Sequence, residues 1–130
     1  MAANTSPIFE LVPTDACVTI VPADASTLKT VQTAGSNGSR VDSIMISSND
    51  TSAVNLAFYI TLGGVDYYIG NVNVPIGAGY TTVTRVDGMT TLAPLLGYLA
   101  LAPSAILKAN AVATVTAAKT VTIVAMGGDY

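Results

Sequence analysis

Apolar and polar residues alternate with a period of two over much of this chain. The clearest case is the segment from Val54 to Leu62, in which every second residue, counted from Val54, lies on one face of an extended chain. These apolar members are Val54, Leu56, Phe58, Ile60 and Leu62. Similar alternation from Arg40 to Ser48 and from Tyr67 to Val74 predicts two more strands. Period-two patterning is typical of strands with one buried face, so the chain is predicted to be mainly β-structure.

Residues that favour turns separate these segments. The segment from Asn49 to Ser52 joins the predicted strands Arg40–Ser48 and Val54–Leu62. It predicts a hairpin, because side chains of this type bond their own backbone in turns. Gly63-Gly64 and the stretch from Pro75 to Gly79 are two further predicted turns. Other predicted strands or strand regions are Cys17–Val21, Leu28–Thr33, Tyr80–Val86, Ile106–Ala111 and Thr114–Met126. Within the first of these, Cys17 is expected to be a small buried residue.

This pattern predicts an all-β fold, an antiparallel β-sandwich or jelly roll of about eight strands. A length of 130 residues suits one domain. We expect a single sandwich domain over residues 16–130, preceded by an N-terminal arm over residues 1–15. The arm carries the apolar residues Ile8, Phe9 and Leu11, which are predicted to pack against this domain or against another protein.

The composition changes what such a domain is expected to do. Hydrophobic residues make up 51% of the chain, but charged residues only 10%, against a usual share of about 25%. Thr, Ser, Asn and Gly must therefore cover much of the surface, which is poorly protected against association. A plain low-charge β domain is one interpretation. We favour the other, a chain whose surface is largely in permanent contact with protein.

Charge and hydropathy also bear on partners. Five Lys and Arg residues against eight Asp and Glu residues give a net charge of −3, so no nucleic-acid partner is expected. The least polar stretch, from Leu92 to Val115, is interrupted by prolines, a glycine, Lys108 and Asn110, so no membrane partner is expected. The first ten residues lack the basic start and apolar run of an export signal.

Candidate chemistry is sparse. The chain has no His and one Cys, which excludes a Ser-His-Asp triad, a Cys-His pair and a histidine-bearing zinc site within it. The acidic residues lie mostly in turns, with no spacing that demands a carboxylate pair, so we expect no enzyme, no metal and no cofactor. Tyr67 and Tyr68 point to opposite faces of a strand, so one is expected in the core and one exposed. An exposed tyrosine can mark an interface or a glycan platform, and the alternative is ordinary sheet packing, which also favours aromatic residues.

Several segments resemble small virion proteins of tailed bacteriophages. One is the run from Leu99 to Ala109, LALAPSAILKA, followed by the Thr/Val-rich run from Val112 to Ala125 and the ending Gly-Gly-Asp-Tyr. Another spans Ser47 to Pro75, with the turn SNDTSA and the strand YYIGNVNVP. The resemblance covers about Arg40 to Tyr130. The turn at Ala102-Pro103-Ser104 departs from it, because it lacks the glycine often found there.

The resemblance implies a structural particle protein, most similar to capsid decoration (cement) proteins. Such proteins sit on the outer shell, commonly as homotrimers, and bridge subunits of the major capsid protein. It therefore implies the major capsid protein and other copies of this chain as partners, location on the virion exterior, and synthesis in the host cytoplasm. Predicted contact residues are Ile8, Phe9, Leu11, Tyr67, Tyr68, Asp129 and Tyr130.

Two other hypotheses stay open. One is a tail, neck or fibre-associated module that binds a receptor or carbohydrate through exposed tyrosines. The other is a free-standing carbohydrate-binding or enzymatic β-sandwich, which needs acidic side chains that converge on one cleft.

Overall fold

Nine antiparallel strands in two sheets make up most of the fold, as seen in a computed structural model that describes residues 12–130. The strands are β1 (Val12–Ile20), β2 (Lys29–Thr33), β3 (Ser39–Ser48), β4 (Val54–Leu62), β5 (Val65–Val74), β6 (Val86–Asp87), β7 (Leu99–Leu101), β8 (Ile106–Ala111) and β9 (Val121–Asp129). A 3-10 helix (Pro22–Asp24) follows β1, and one short helix, α1 (Met89–Leu92), lies between β6 and β7.

The strand order confirms the predicted β-sandwich. The first sheet has the order β1-β9-β3, and β6 and β7 pair with different parts of the free side of β3. The second sheet has the order β2-β8-β4-β5. Because β6 and β7 together take one strand position, the two sheets correspond to the two four-stranded sheets of a jelly roll, in which the chain repeatedly crosses between sheets.

The core lies between the two sheets and is built from aliphatic residues. Phe58, Leu56, Leu107, Ile44 and Ile123 are among its largest fully buried side chains. Strand faces follow the period-two pattern, since Val54, Leu56 and Phe58 are buried while Asn55 is exposed. Burial of this apolar area at about 25 cal/mol per Å² is the main favourable contribution to folding.

The β4–β5 hairpin has the turn that its glycines predict. Gly63 and Gly64 both adopt a left-handed backbone, with φ of 57° and 79°. Two successive positive φ values are what a tight two-residue hairpin turn requires, and only glycine adopts them without a steric penalty. The turn pairs Leu62 with Val65 and so fixes the register of the first half of the hairpin. A bulge opposite Phe58 and Tyr59 then shifts that register.

The predicted hairpin between β3 and β4 is wrong. These strands belong to different sheets, so residues 49–53 form an arch from one sheet to the other. Asp50 holds this arch, because its carboxylate accepts hydrogen bonds from the backbone N–H groups of Ser52 (2.9 Å) and Thr116 (3.0 Å). Turn composition predicts that the chain reverses, but it does not tell a hairpin from an arch.

Other local expectations also need correction. Of the predicted strand Tyr80–Val86, only Val86 lies in a strand; residues 80–83 form a turn and bends, and residues 84–85 are irregular. The predicted last strand region begins too early, since β9 starts at Val121 and runs through both glycines to Asp129. Cys17 is exposed, because it lies on the outward side of β1.

The boundary of the predicted arm is also different. Residues 12–15 belong to β1, where Val12 pairs with Asp129 and Asp15 with Met126. The remaining arm residues, including Ile8, Phe9 and Leu11, lie outside the described residues. Within residues 12–130, no helix has the length and apolar character needed to cross a membrane.

Candidate functional site: an exposed apolar surface at one end of the sandwich

The end of the β4–β5 hairpin exposes apolar side chains that continue a core-facing row. Exposure along this row of β4 rises from 0% at Phe58 to 43% at Leu62. Register places Ile60 opposite Tyr67 and Leu62 opposite Val65, so these side chains share one face. Because Val65 and Tyr67 are also exposed, the core-facing side of the hairpin is uncovered at this end.

A second group of exposed apolar residues follows α1. We call residues 93–98 the leucine loop. Leu95 is 97% exposed and Leu96 67% exposed, while Ala93 at the base of the loop is buried. Single exposed leucines are common, but two adjacent ones on a surface with few charges indicate a contact site.

Short-range contacts hold α1, from which the leucine loop extends, beside β5. Asp87 accepts a hydrogen bond from the backbone N–H of Met89 at 3.0 Å, and the buried Met89 side chain anchors α1. On the other side of α1, Leu92 packs against Gly70 of β5 so closely that a Cβ on Gly70 would lie 3.2 Å from Leu92 Cδ2. The helix is therefore fixed between β3 and β5, and the loop extends from it into solvent.

The two predicted tyrosines are both exposed, so the expectation that one lies in the core is wrong. Tyr67 lies on the core-facing side of β5, opposite Ile60, but its side chain is uncovered there. Tyr68 lies on the outer side, where its ring packs edge-to-face against Tyr59 with centroids 5.6 Å apart. Tyr67 thus joins the apolar surface and Tyr68 does not.

The C-terminal contact residues lie elsewhere and interact with their own chain. Asp129 accepts a hydrogen bond from Ser39 Oγ, which itself accepts one from the backbone N–H of Gly35 at 3.0 Å. The Tyr130 backbone N–H donates to Gly38 at 3.2 Å, and Asn37 donates to the Tyr130 carbonyl at 3.3 Å. The structure therefore gathers the chain end at the β2–β3 turn, and it does not bring it to Tyr67 or Tyr68.

A small cavity of about 180 Å³ lies beside α1. It is lined by Asp42, Asp87, Met89, Thr90, Ala93, Pro94 and Gly97. The two carboxylates both have partners: Asp42 is paired with Arg40 at 2.6 Å, and Asp87 accepts a hydrogen bond from the backbone N–H of Met89 at 3.0 Å. Typical small-molecule sites enclose about 300–1,000 Å³, so this cavity is small for a substrate. Within residues 12–130, no three His, Cys, Asp or Glu side chains are grouped to hold a metal ion.

Among residues 12–130, three carboxylates have a lowered pKa, and each stabilises a connection between elements. Burial raises the pKa of Asp50, but hydrogen bonds from Thr116 and Ser52 outweigh that effect and lower it overall. Hydrogen bonds from the Val21 backbone and from Lys29 lower the pKa of Asp24. The Thr61 hydroxyl, assisted by the nearby charge of Lys108, lowers the pKa of Asp66. In all three cases the pKa is lowered by hydrogen bonds that hold the fold together.

Comparisons with models of protein families, with characterised proteins and with solved structures find no match to this chain. Its function must therefore be inferred from its own residues and geometry.

Sequence reasoning found Tyr67 but missed the exposed Leu95 and Leu96. The signal was present, because Pro94-Leu95-Leu96-Gly97 places two leucines between a proline and a glycine. A turn of that composition exposes its central residues. Leu62 was assigned to the buried face, since alternation alone does not show where the facing sheet ends.

Proposed function

We propose that this chain is a virion structural protein that decorates the outer surface of a bacteriophage capsid and bridges subunits of the major capsid protein. The observation that carries the proposal is the apolar surface of the leucine loop and the β4–β5 hairpin end, which solvent covers in the single chain. The assignment to a phage particle rests on the resemblance of residues 40–130 to small phage virion proteins. A jelly-roll fold is frequent in viral capsid domains, which supports it by analogy only.

The low charge of the chain suits this role. Ten per cent charged residues leave little repulsion between copies or between the chain and a shell. A protein that binds only the assembled lattice stabilises it by mass action, by about 2.7 kcal/mol per site at a free concentration of one hundred times Kd. If the chain forms a homotrimer, as the resemblance implies, three linked contacts add avidity to a weak single contact.

The test measures self-association and shell binding separately. Light scattering over a range of concentrations measures the mass of the purified chain. Co-sedimentation with capsid shells of the tailed phage whose genome encodes the chain measures binding. We expect a trimer and saturable binding to the shells. A chain that stays monomeric at high concentration and does not sediment with shells contradicts the proposal.

Variants then test the surface itself. The double change Leu95→Ser with Leu96→Ser should weaken shell binding roughly tenfold or more, because burial of one leucine contributes about 1.5–3 kcal/mol. Val112→Ser is the control, since Val112 is also an exposed apolar residue, at 53%, but follows β8 at the far end of the sheet from the hairpin turn. Equal binding by both variants would show that the leucine loop is not the contact.

A further inference from the structure

The outer face of the β2-β8-β4-β5 sheet differs in chemistry from the apolar surface. Register and alternation place these side chains on that face: Asn55, Ala57, Tyr59 and Thr61 of β4, and Asp66, Tyr68, Asn71 and Asn73 of β5. Lys108 and Asn110 of β8 lie beside them, opposite Tyr59 and Ala57. This face is therefore a row of amides next to a pair of tyrosine rings.

The amides on this face are available to a ligand. Asn55 lies directly opposite Asn73, and Asn71 lies opposite Ala57. All three asparagines are exposed, and their side chains make no hydrogen bond to any residue of the described chain from 12 to 130. An amide both donates and accepts hydrogen bonds. Asn110 differs, because its amide already donates to the Ser26 carbonyl at 2.9 Å.

An aromatic ring stands at the end of the amide row. Tyr68 is 58% exposed, and its edge-to-face contact with Tyr59 holds its ring in position. A tyrosine offers an apolar ring face with a polar hydroxyl at its tip. Between Tyr68 and Asn71, the bulge in β5 places Ile69 as an extra residue. The small side chain of Ala57 lies between Asn71 and Asn110 and is covered by its neighbours, so the exposed polar groups of this face are those of the asparagines.

The face carries almost no net charge. Among the described strands, register places only Asp66 and Lys108 on it as charged residues, and their side chains are paired at 3.5 Å. An ionic ligand would find no unpaired opposite charge there. A ligand that matches the face is uncharged and has many hydroxyl groups for the amides and an apolar ring face for Tyr68. That is the chemistry of a neutral sugar.

From this chemistry we propose that the outer face of the β2-β8-β4-β5 sheet binds an uncharged oligosaccharide, with Tyr68 stacked on one sugar ring and Asn55, Asn71 and Asn73 bonded to hydroxyl groups. The site is separate from the leucine loop and does not depend on the proposed role on a capsid. A sugar site would let a particle that carries this chain adhere to glycans.

The first experiment screens the whole chain on an array of neutral and acidic oligosaccharides. The neutral oligosaccharide with the strongest signal is then titrated into the isotope-labelled chain and followed by amide NMR shifts. We expect saturable binding and shifts that centre on residues 66–73 and on β4. No neutral oligosaccharide above background, or shifts that centre on the leucine loop, would overturn the proposal.

Variants on adjacent residues make the test specific. Tyr68→Ala should weaken binding about tenfold, and Tyr68→Phe should retain most of it because the ring remains. Asn71→Asp keeps the shape but introduces a charge and removes the amide donors, so it should weaken binding strongly. Tyr80→Ala is the matched control, because Tyr80 has the same 58% exposure but lies in the loop after β5. Equal losses in Tyr68→Ala and Tyr80→Ala would refute a site on this face.

A further variant separates this proposal from the proposed function. Tyr67→Ala alters the apolar surface on the opposite side of β5, so it should leave sugar binding unchanged while it weakens shell binding. Sugar binding that disappears in Tyr67→Ala but survives in Tyr68→Ala contradicts the assignment to the outer face. Retained sugar binding with no shell binding by the wild type would reject the capsid role and leave the sugar site standing.

Discussion

Asp50 provides the sharpest test of how the two sheets are held together. It is 2% exposed, and its two carboxylate oxygens accept separate hydrogen bonds from Ser52 of the arch and Thr116 of the β8–β9 connection. Replacement with alanine removes both bonds and leaves two backbone N–H groups without their acceptor. At about 2 kcal/mol for each hydrogen bond to a charged group, Asp50→Ala should lower the free energy of unfolding by about 4 kcal/mol.

A loss of that size is a large part of the total stability, which for a single domain is about 5–15 kcal/mol. For a domain of this length it corresponds to a drop in Tm of roughly 15 °C. Urea denaturation followed by circular dichroism measures the free energy directly. Asp15→Ala is the control, because Asp15 is exposed on β1 and should change stability by less than about 0.5 kcal/mol. If Asp50→Ala unfolds at the same urea concentration as Asp15→Ala, the arch does not depend on this carboxylate.

The pH dependence of stability tests the charge separately from the shape. The folded pKa of Asp50 lies below its ordinary value of 3.8, so the stability it provides is fully present above about pH 4 and is lost as pH falls through the folded pKa. Asp24 and Asp66 contribute in the same direction. Asp50→Asn should therefore flatten the acid side of the stability curve without abolishing its slope. An identical slope in wild type and Asp50→Asn would show that the ionised form is not the stabilising one.

Three other changes test particular features of the fold. Gly127→Ala should cost about 3 kcal/mol or more, because a Cβ there would lie 1.8 Å from the Arg40 carbonyl oxygen of β3. Urea denaturation compares it with Gly97→Ala, where nothing lies within 4 Å and only the left-handed backbone, with φ of 73°, costs about 1 kcal/mol. Phe58→Ala should lower the free energy of unfolding by about 3–5 kcal/mol, whereas Leu62→Ala on the same row should lower it by less than about 1 kcal/mol. Equal losses in urea denaturation would place Leu62 in the core. Cys17 should react fully with a maleimide reagent without denaturant, as expected of an exposed thiol, and protection until unfolding would contradict its position on β1.

Periodicity predicted the strands well, because a strand with one buried face needs apolar residues at every second position. The row from Val54 to Phe58 is buried as predicted, and the Gly63-Gly64 turn follows from backbone sterics alone. These are local requirements, and the sequence states them directly. They were sufficient to predict an antiparallel sandwich.

Long-range arrangement was harder to predict, because similar residues serve different connections. The segment from Asn49 to Ser52 has the composition of a hairpin turn, yet the carboxylate of Asp50 accepts a hydrogen bond from Thr116, 66 positions later in the chain. The β-branched run near Tyr80 does not continue as a strand, since β6 begins only at Val86. Cys17 has apolar neighbours but lies on the outward side of an outer strand. In each case the distant partner decides the outcome, and no local pattern encodes it.

The candidate surfaces follow from the same limit. Alternation predicted that Tyr67 and Tyr68 face opposite sides of β5, and this is confirmed by their pairing with Ile60 and Tyr59. It could not show that Tyr67, on the core-facing side, is left 53% exposed, while Tyr68 is exposed because it lies on the outer side. One strand therefore contributes to two surfaces of different chemistry, an apolar one through Tyr67 and an amide-lined one through Tyr68. Because the sheet separates the two rings, Tyr67→Ala should weaken only shell binding and Tyr68→Ala only sugar binding. The double variant should then lose each activity by the same factor as the corresponding single variant.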